Sequence, residues 1–237
     1  MYDLQKKYEK EIQEIVFCSN RLASLGYVTS HGGNLSYKTD DNNILITPTK
    51  VHKRSIVFDD ILILDLNGSI LLNANNRKPT GETPMHLRIF NKRPDINAMV
   101  HAHPPIMTGF SMTDSDLLEK PFLPEPIFEA GPAVSVEYAE PVSDKLAIEF
   151  DKVVHKSNIF LLRNHGAMAL SADGIERALD ILEMVETTAL SITTALLIGN
   201  IKEIPRESIN DLEKIIAKRN LKIPGDPRYI KRLKDLY

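Results

Sequence analysis

Apolar residues at Leu4, Tyr8, Ile12, Ile15, Val16, Leu22 and Ala23 recur at helical spacing, which predicts a helix to about Leu25 with Gly26 as its stop. Two short apolar runs follow, Ile44 to Thr47 and Ile61 to Leu66, and Asn67-Gly68 turns the second back into Ser69 to Leu72 as a hairpin. Thr83-Pro84 opens a helix that must close before Pro94. Ala98 to His103 has the look of a strand, and residues 114 to 133, with four prolines, of a long loop. Ser143 or Asp144 caps a helix carrying Leu146, Phe150, Val153 and Val154 on one face. Ile159 to Arg163 and Ala167 to Leu170 form strands around Asn164-His165-Gly166. The longest helix then runs from Ile175 to near Gly199, and Pro205 begins the last one, through Ile209, Leu212 and Ile216. Helices alternating with short strands and hairpins predict an α/β fold: a mixed, largely antiparallel sheet with helices packed on it. The expected division is a main domain over 1–203 and a C-terminal helix and tail, 204–237, packed on it.

Composition narrows the function without naming it. The 237 residues are 43% hydrophobic and 26% charged, an ordinary globular mix. A net charge of −3 argues against broad nucleic-acid binding. No apolar run looks long enough to span a membrane, so no membrane partner is expected. The charged start MYDLQKKYEKEIQ is not a secretory signal, and the single cysteine, Cys18, forms no internal disulfide, which together point to the cytoplasm. Neither GxGxxG nor GxxxxGK[ST] is present.

Chemistry concentrates around histidine. In MVHAHPP, residues i and i+2 of a strand share a face, so His101 and His103 project together and suit one borderline-soft ion. His165, in an Asn-His-Gly turn, is a third candidate. His31, His52, His86 and His155 lack such a setting. Glu82, in PTGETP, lies at a loop-to-helix junction, where an acid either complements the helix dipole or serves as a proton-transfer carboxylate. HGGNLS (31–36) and ITPTK (46–50) are turn signals that also expose donors suited to a phosphate.

Taken together, GNLS, TPTK, PTGE, RPDINAMVHAHPP and NHG, in this order and spacing, resemble the class II aldolase/adducin family, closest to L-fuculose-1-phosphate aldolase-like enzymes. The resemblance implies a three-layer α/β/α sandwich, a homotetramer with sites between subunits, and one zinc ion per subunit. It places the metal ligands at His101, His103 and His165, the catalytic carboxylate at Glu82, and substrate-phosphate contacts at Gly33, Asn34, Thr49, Thr80 and Gly81. This chain has Lys50 where that aldolase has glycine, Thr80 and Gly81 where it has two serines, and no tyrosine near Glu125, where its active-site tyrosine falls. Lys50 directly follows Thr49 and is expected to add a charged phosphate contact.

The implied activity is zinc-dependent cleavage of a ketose 1-phosphate to dihydroxyacetone phosphate and an aldehyde. Family epimerases, dehydratases and decarboxylases on sugar phosphates are the alternatives, and epimerases are disfavoured because they typically carry Asp at the position of Glu82. A non-catalytic adducin-type scaffold is disfavoured by the intact histidine and glutamate set.

Overall fold

The computed structural model describes residues 2–237, with side chains from Leu4 onward. In chain order the first half contains helices α1 (Tyr2–Lys7) and α2 (Glu9–Ser24) and strands β1 (Asn34–Lys38), β2 (Ile44–Ile46), β3 (Leu62–Leu64) and β4 (Ile70–Leu72), then α3 (Thr83–Lys92) and β5 (Ala98–Ala102). The second half holds α4 (Pro105–Ser111), α5 (Pro124–Glu129), β6 (Val134–Val136), α6 (Asp144–Phe150), β7 (Ile159–Leu162), β8 (Gly166–Ser171), α7 (Ile175–Ile198) and α8 (Arg206–Arg219). The strands form one sheet in the order β4-β3-β2-β1-β5-β8-β7-β6, antiparallel throughout except for the parallel β6–β7 pair.

Alternation along the strands makes three layers. Leu45, Ile63, Val100, Leu161 and Ala169 face one cluster, shared with Ile12, Ile15 and Leu22 of α2 and Ala178, Leu182 and Val185 of α7. Ile46, Leu62, Met99, Phe160 and Leu170 face the other, shared with Met85, Ile89 and Phe90 of α3 and Leu146 and Phe150 of α6. A sheet buried on both faces needs near-continuous apolar strands, which is why ILI, LIL and IFLL carry no polar residue. The expected α/β/α sandwich with a largely antiparallel sheet is therefore observed.

Several boundaries differ from expectation. The first helix is interrupted at Tyr8, whose hydroxyl hydrogen-bonds the Asp41 carboxylate. Residues 114–133 are not one loop: a 3-10 turn covers 117–119 and α5 begins at Pro124, where proline's fixed φ favours the first helical turn. This segment buries Leu118, Ile127 and Phe128 within its own chain. β1, α4 and β6 were not anticipated, because each is too short or too polar to show a period. Helix α6 stops at Phe150, so Val153, Val154 and His155 lie in turns, while Ser143 caps it by accepting from the Leu146 amide. Helix α7 has the length and apolar composition of a membrane span, contrary to the sequence expectation, and it packs along the sheet with residues from Ile175 to Ile192 buried. The C-terminal segment lies against α5, with Ile209, Ile216 and Leu233 packed on Ile127 and Phe128.

Candidate active site

The end of β5 and the β7–β8 turn bring three imidazoles together. The ring centroids of His101 and His103 are 5.0 Å apart, those of His101 and His165 4.7 Å, and those of His103 and His165 5.3 Å. One ring nitrogen from each lies within 4.8 Å of the other two. His101 is the last but one residue of β5, and His103 stands just beyond the strand, held by its amide on the Tyr27 carbonyl. The chain after it is pinned by Glu186 of α7, whose buried carboxylate accepts from the amides of Ile106 and Met107 at the start of α4. His165 sits in a turn opened by Asn164, which takes a left-handed φ of 53°. Gly166 follows because a Cβ there would stand 2.5 Å from the Ala102 carbonyl and from the His103 ring.

The donor atoms are pre-set for a cation. The Ala167 carbonyl accepts from Nδ1 of His101 at 2.9 Å, which fixes the proton there and leaves Nε2 with a free lone pair. Nε2 of His101, Nε2 of His103 and Nδ1 of His165 are buried without a hydrogen-bond partner. One nitrogen from each ring converges, with Nε2 of His101 and Nε2 of His165 both beside Glu82, and three convergent imidazole nitrogens fit a borderline-soft divalent ion. Burial pushes all three histidines toward the neutral form: it lowers His165 to about 4, and His101 and His103 are lowered by burial first, with the Lys53 ammonium among the further causes.

Glu82 closes the group from α3, at whose N-terminus it stands. Its carboxylate lies 3.4 Å from Nε2 of His101 and 3.6 Å from Nε2 of His165. Burial alone would raise its pKa, but His101, the Asn34 amide and His165 together hold it below the usual carboxylate range. Asn34 of β1 is paired with His101 across the β1–β5 ladder, and its Nδ2 donates to Glu82 at 2.8 Å. Its Oδ1 faces Nε2 of His86, one turn along α3 from Glu82, and Nδ1 of His86 meets the Ser36 hydroxyl at 2.6 Å. His86 is wholly buried, and burial pushes it down to about 3. In the sequence the only trace of this placement is the i, i+4 spacing of His86 from Glu82.

Of the remaining predicted site residues, all but Lys50 line the same cleft. This cleft of about 300 Å³ is lined by Gly33, Asn34, Thr49, Thr80, Gly81 and Glu82, the three histidines, and His31, Pro141 and Val142. The segments bearing Thr49 and Thr80 run side by side: Pro48 bridges Pro79, and the amides of Thr49 and Thr80 are taken by the carbonyls of Lys78 and Thr47. Lys50 is exposed and does not line this cleft. Val142, from the β6–α6 connection, holds a left-handed φ of 65°, a strained state for a β-branched residue, and is 61% exposed. Its side chain lies over Gly81, where an added Cβ would come within 2.5 Å of Val142 Cγ1. Neither Val142 nor the buried Lys53 carries a sequence signal that singles it out.

The profile of the Class II Aldolase and Adducin N-terminal domain matches residues 13–192. The chain belongs to this family. The 3-oxo-tetronate 4-phosphate decarboxylase of Haemophilus influenzae is 31% identical over 191 residues, 79% of this chain and 89% of that one. The 5-deoxy-D-ribulose 1-phosphate aldolase of Bacillus thuringiensis is 31% identical over 209 residues, 87% of this chain and 95% of that one. Among solved structures, an L-fuculose 1-phosphate aldolase superposes with a TM-score of 0.76 at 28% identity, covering 89% of this chain and 96% of that one. This class II aldolase-family chain is thus an enzyme of the lyase kind.

Proposed function

We propose that this family member cleaves a carbon–carbon bond in a short ketose 1-phosphate, releasing dihydroxyacetone phosphate and an aldehyde, with Glu82 as the proton-transfer group. The observation that supports this reading is the buried, ionised carboxylate set against three convergent imidazoles in a small cleft. His101, His103 and His165 would hold a divalent ion, zinc first among candidates, which supplies Lewis acidity toward a substrate carbonyl when bound. Glu82, desolvated and aimed by Asn34, takes or returns the proton at the carbon that loses its bond. The hydroxyls of Thr49 and Thr80, with Gly33 and Gly81 beside them, face the phosphate. The Thr49 and Thr80 amides are already used within the chain, so the hydroxyls are their remaining donors. Asn34 contributes by fixing Glu82, because both ends of its amide are engaged.

A second reading is decarboxylation of a 3-oxo sugar-acid phosphate, the activity of the H. influenzae relative. The absence of tyrosine from residues 121–133 favours it, since departing carbon dioxide needs no proton relay, whereas an aldehyde's oxygen does. Incubating the zinc-loaded enzyme with a panel of ketose 1-phosphates and with 3-oxo-tetronate 4-phosphate, and following dihydroxyacetone phosphate and carbon dioxide separately, tests the two. Glu82→Gln is expected to keep the metal and lose turnover by about 10²–10⁴. Normal turnover in that variant would reduce Glu82 to a helix-terminal charge.

A further inference from the structure

Glu82 can deliver a proton only if its carboxylate is held at a fixed angle, and nothing on α3 itself holds it. The residue stands at the helix N-cap position without a capping hydrogen bond from its side chain. Its fixed contact with a neutral donor is the Asn34 amide, at 2.8 Å. A side-chain amide has two ends, and its carbonyl and nitrogen occupy nearly the same shape, so an unguided Asn34 would turn over at little steric cost. Turned over, it would present a carbonyl oxygen to a carboxylate, with two acceptors facing each other at a buried contact.

We propose that His86 is the positioning residue that prevents this and so aims Glu82, acting through Asn34. The proposal rests on Glu82 being the proton-transfer group. A carboxylate only accepts, so the Asn34 nitrogen faces Glu82 and its Oδ1 faces His86. Nε2 of His86 must then carry the proton and donate. That leaves Nδ1 as an acceptor, which the Ser36 hydroxyl satisfies at 2.6 Å. Ser36 and His86 are wholly buried, so at that end of the Asn34 amide no water is on hand to replace a missing partner. The geometry is built in by the fold: Ser36 and Asn34 are two apart on β1 and share a face, and Glu82 and His86 are one turn apart at the start of α3.

A role through Glu82 differs measurably from plain core packing. His86→Leu fills the space but offers no donor, and should lower kcat by about 10–100-fold, a typical effect of losing a residue that orients a functional group. KM and metal content should stay near those of the parent. His86→Gln, whose amide nitrogen reaches about as far as Nε2, should restore most of the loss, whereas the shorter His86→Asn should not. In the Glu82→Gln background, His86→Leu should cause no further fall, because the group it aims is gone. Nitrogen-15 spectra of the metal-free protein should show His86 as the neutral tautomer protonated at Nε2. An additive double mutant, or the Nδ1-protonated tautomer, would overturn the proposal. Near-normal turnover of Glu82→Gln would overturn the proton-transfer reading as well, whereas an additive cycle on an inactive Glu82→Gln parent overturns the His86 proposal alone. Should the leucine variant not fold, the Gln-against-Asn contrast and the tautomer decide it: equal activity of those two variants would sink the proposal.

Discussion

Replacing Lys53 by methionine should make this protein more stable at neutral pH. Lys53 is 1% exposed, its Nζ has the Val51 carbonyl at 3.5 Å as its contact, and among the described residues it has no ion-pair partner. Burial pulls its pKa from 10.5 down to about 8. The unfolded chain therefore keeps the proton up to about pH 10.5, while the folded chain gives it up near 8. As pH falls through this window the unfolded state takes up the proton first, and folding loses about 3 kcal/mol, a loss that is complete below pH 8. Methionine has a similar reach and no charge, so Lys53→Met should recover most of that energy at pH 7. With a urea dependence of about 1–3 kcal/mol per molar, the midpoint should rise by about 1 M or more. At pH 10 the native lysine is already neutral, and the gain should shrink to less than about 1 kcal/mol. The assay is urea unfolding of both proteins at pH 7 and pH 10, at one chain concentration and with excess chelator. Coincident midpoints at pH 7, or a gain that persists unchanged at pH 10, would show that the ammonium is paired or hydrated in the native state.

Three other outcomes are expected. His103→Ala should lose the bound divalent ion by elemental analysis while retaining its circular dichroism; full metal retention would refute the three-histidine site. Lys50→Ala should leave KM for a phosphorylated substrate unchanged at low and high salt, because Lys50 is exposed and does not line the cleft; a salt-sensitive rise in KM would restore it as a phosphate contact. Light scattering at micromolar concentration should give an oligomeric mass, with a tetramer expected, since Leu190, Leu196, Leu197 and Ile198 stand exposed along the end of α7; a monomeric mass would refute this.

What the sequence disclosed followed period and spacing. The layered fold was legible because strands such as Ile159–Leu162 are apolar at every position, and because α2, α3 and α7 carry clear stripes. His101 and His103 were legible because a strand fixes i and i+2 on one face. His165 and Glu82 became credible only with the order of the surrounding motifs. His86 was not legible: on a helix facing the core, a buried histidine looks like any other residue until Ser36 and Asn34 arrive from a strand about fifty positions away. The same holds for Lys53, whose burial arises from tertiary packing and leaves no local mark. The proline-rich 114–133 segment, which has the composition of a loop, also differs from expectation, because α5 turns Ile127 and Phe128 onto the C-terminal helix.

The overlap of Val142 with the space above Gly81 dictates an order of mutation. Any side chain at 81 and the isopropyl group at 142 claim the same volume, so a change at 81 alone passes through a clash. Glycine at 142 instead frees that volume and releases about 1–3 kcal/mol of backbone strain. A laboratory selection for a hydroxyl at position 81, or for a wider substrate, should therefore recover Val142 changes first and Gly81 changes only in lineages that already carry them. Where position 142 is never sampled, a change at Gly81 should survive only if the Val142 side chain shifts aside, and glycine should persist longer there.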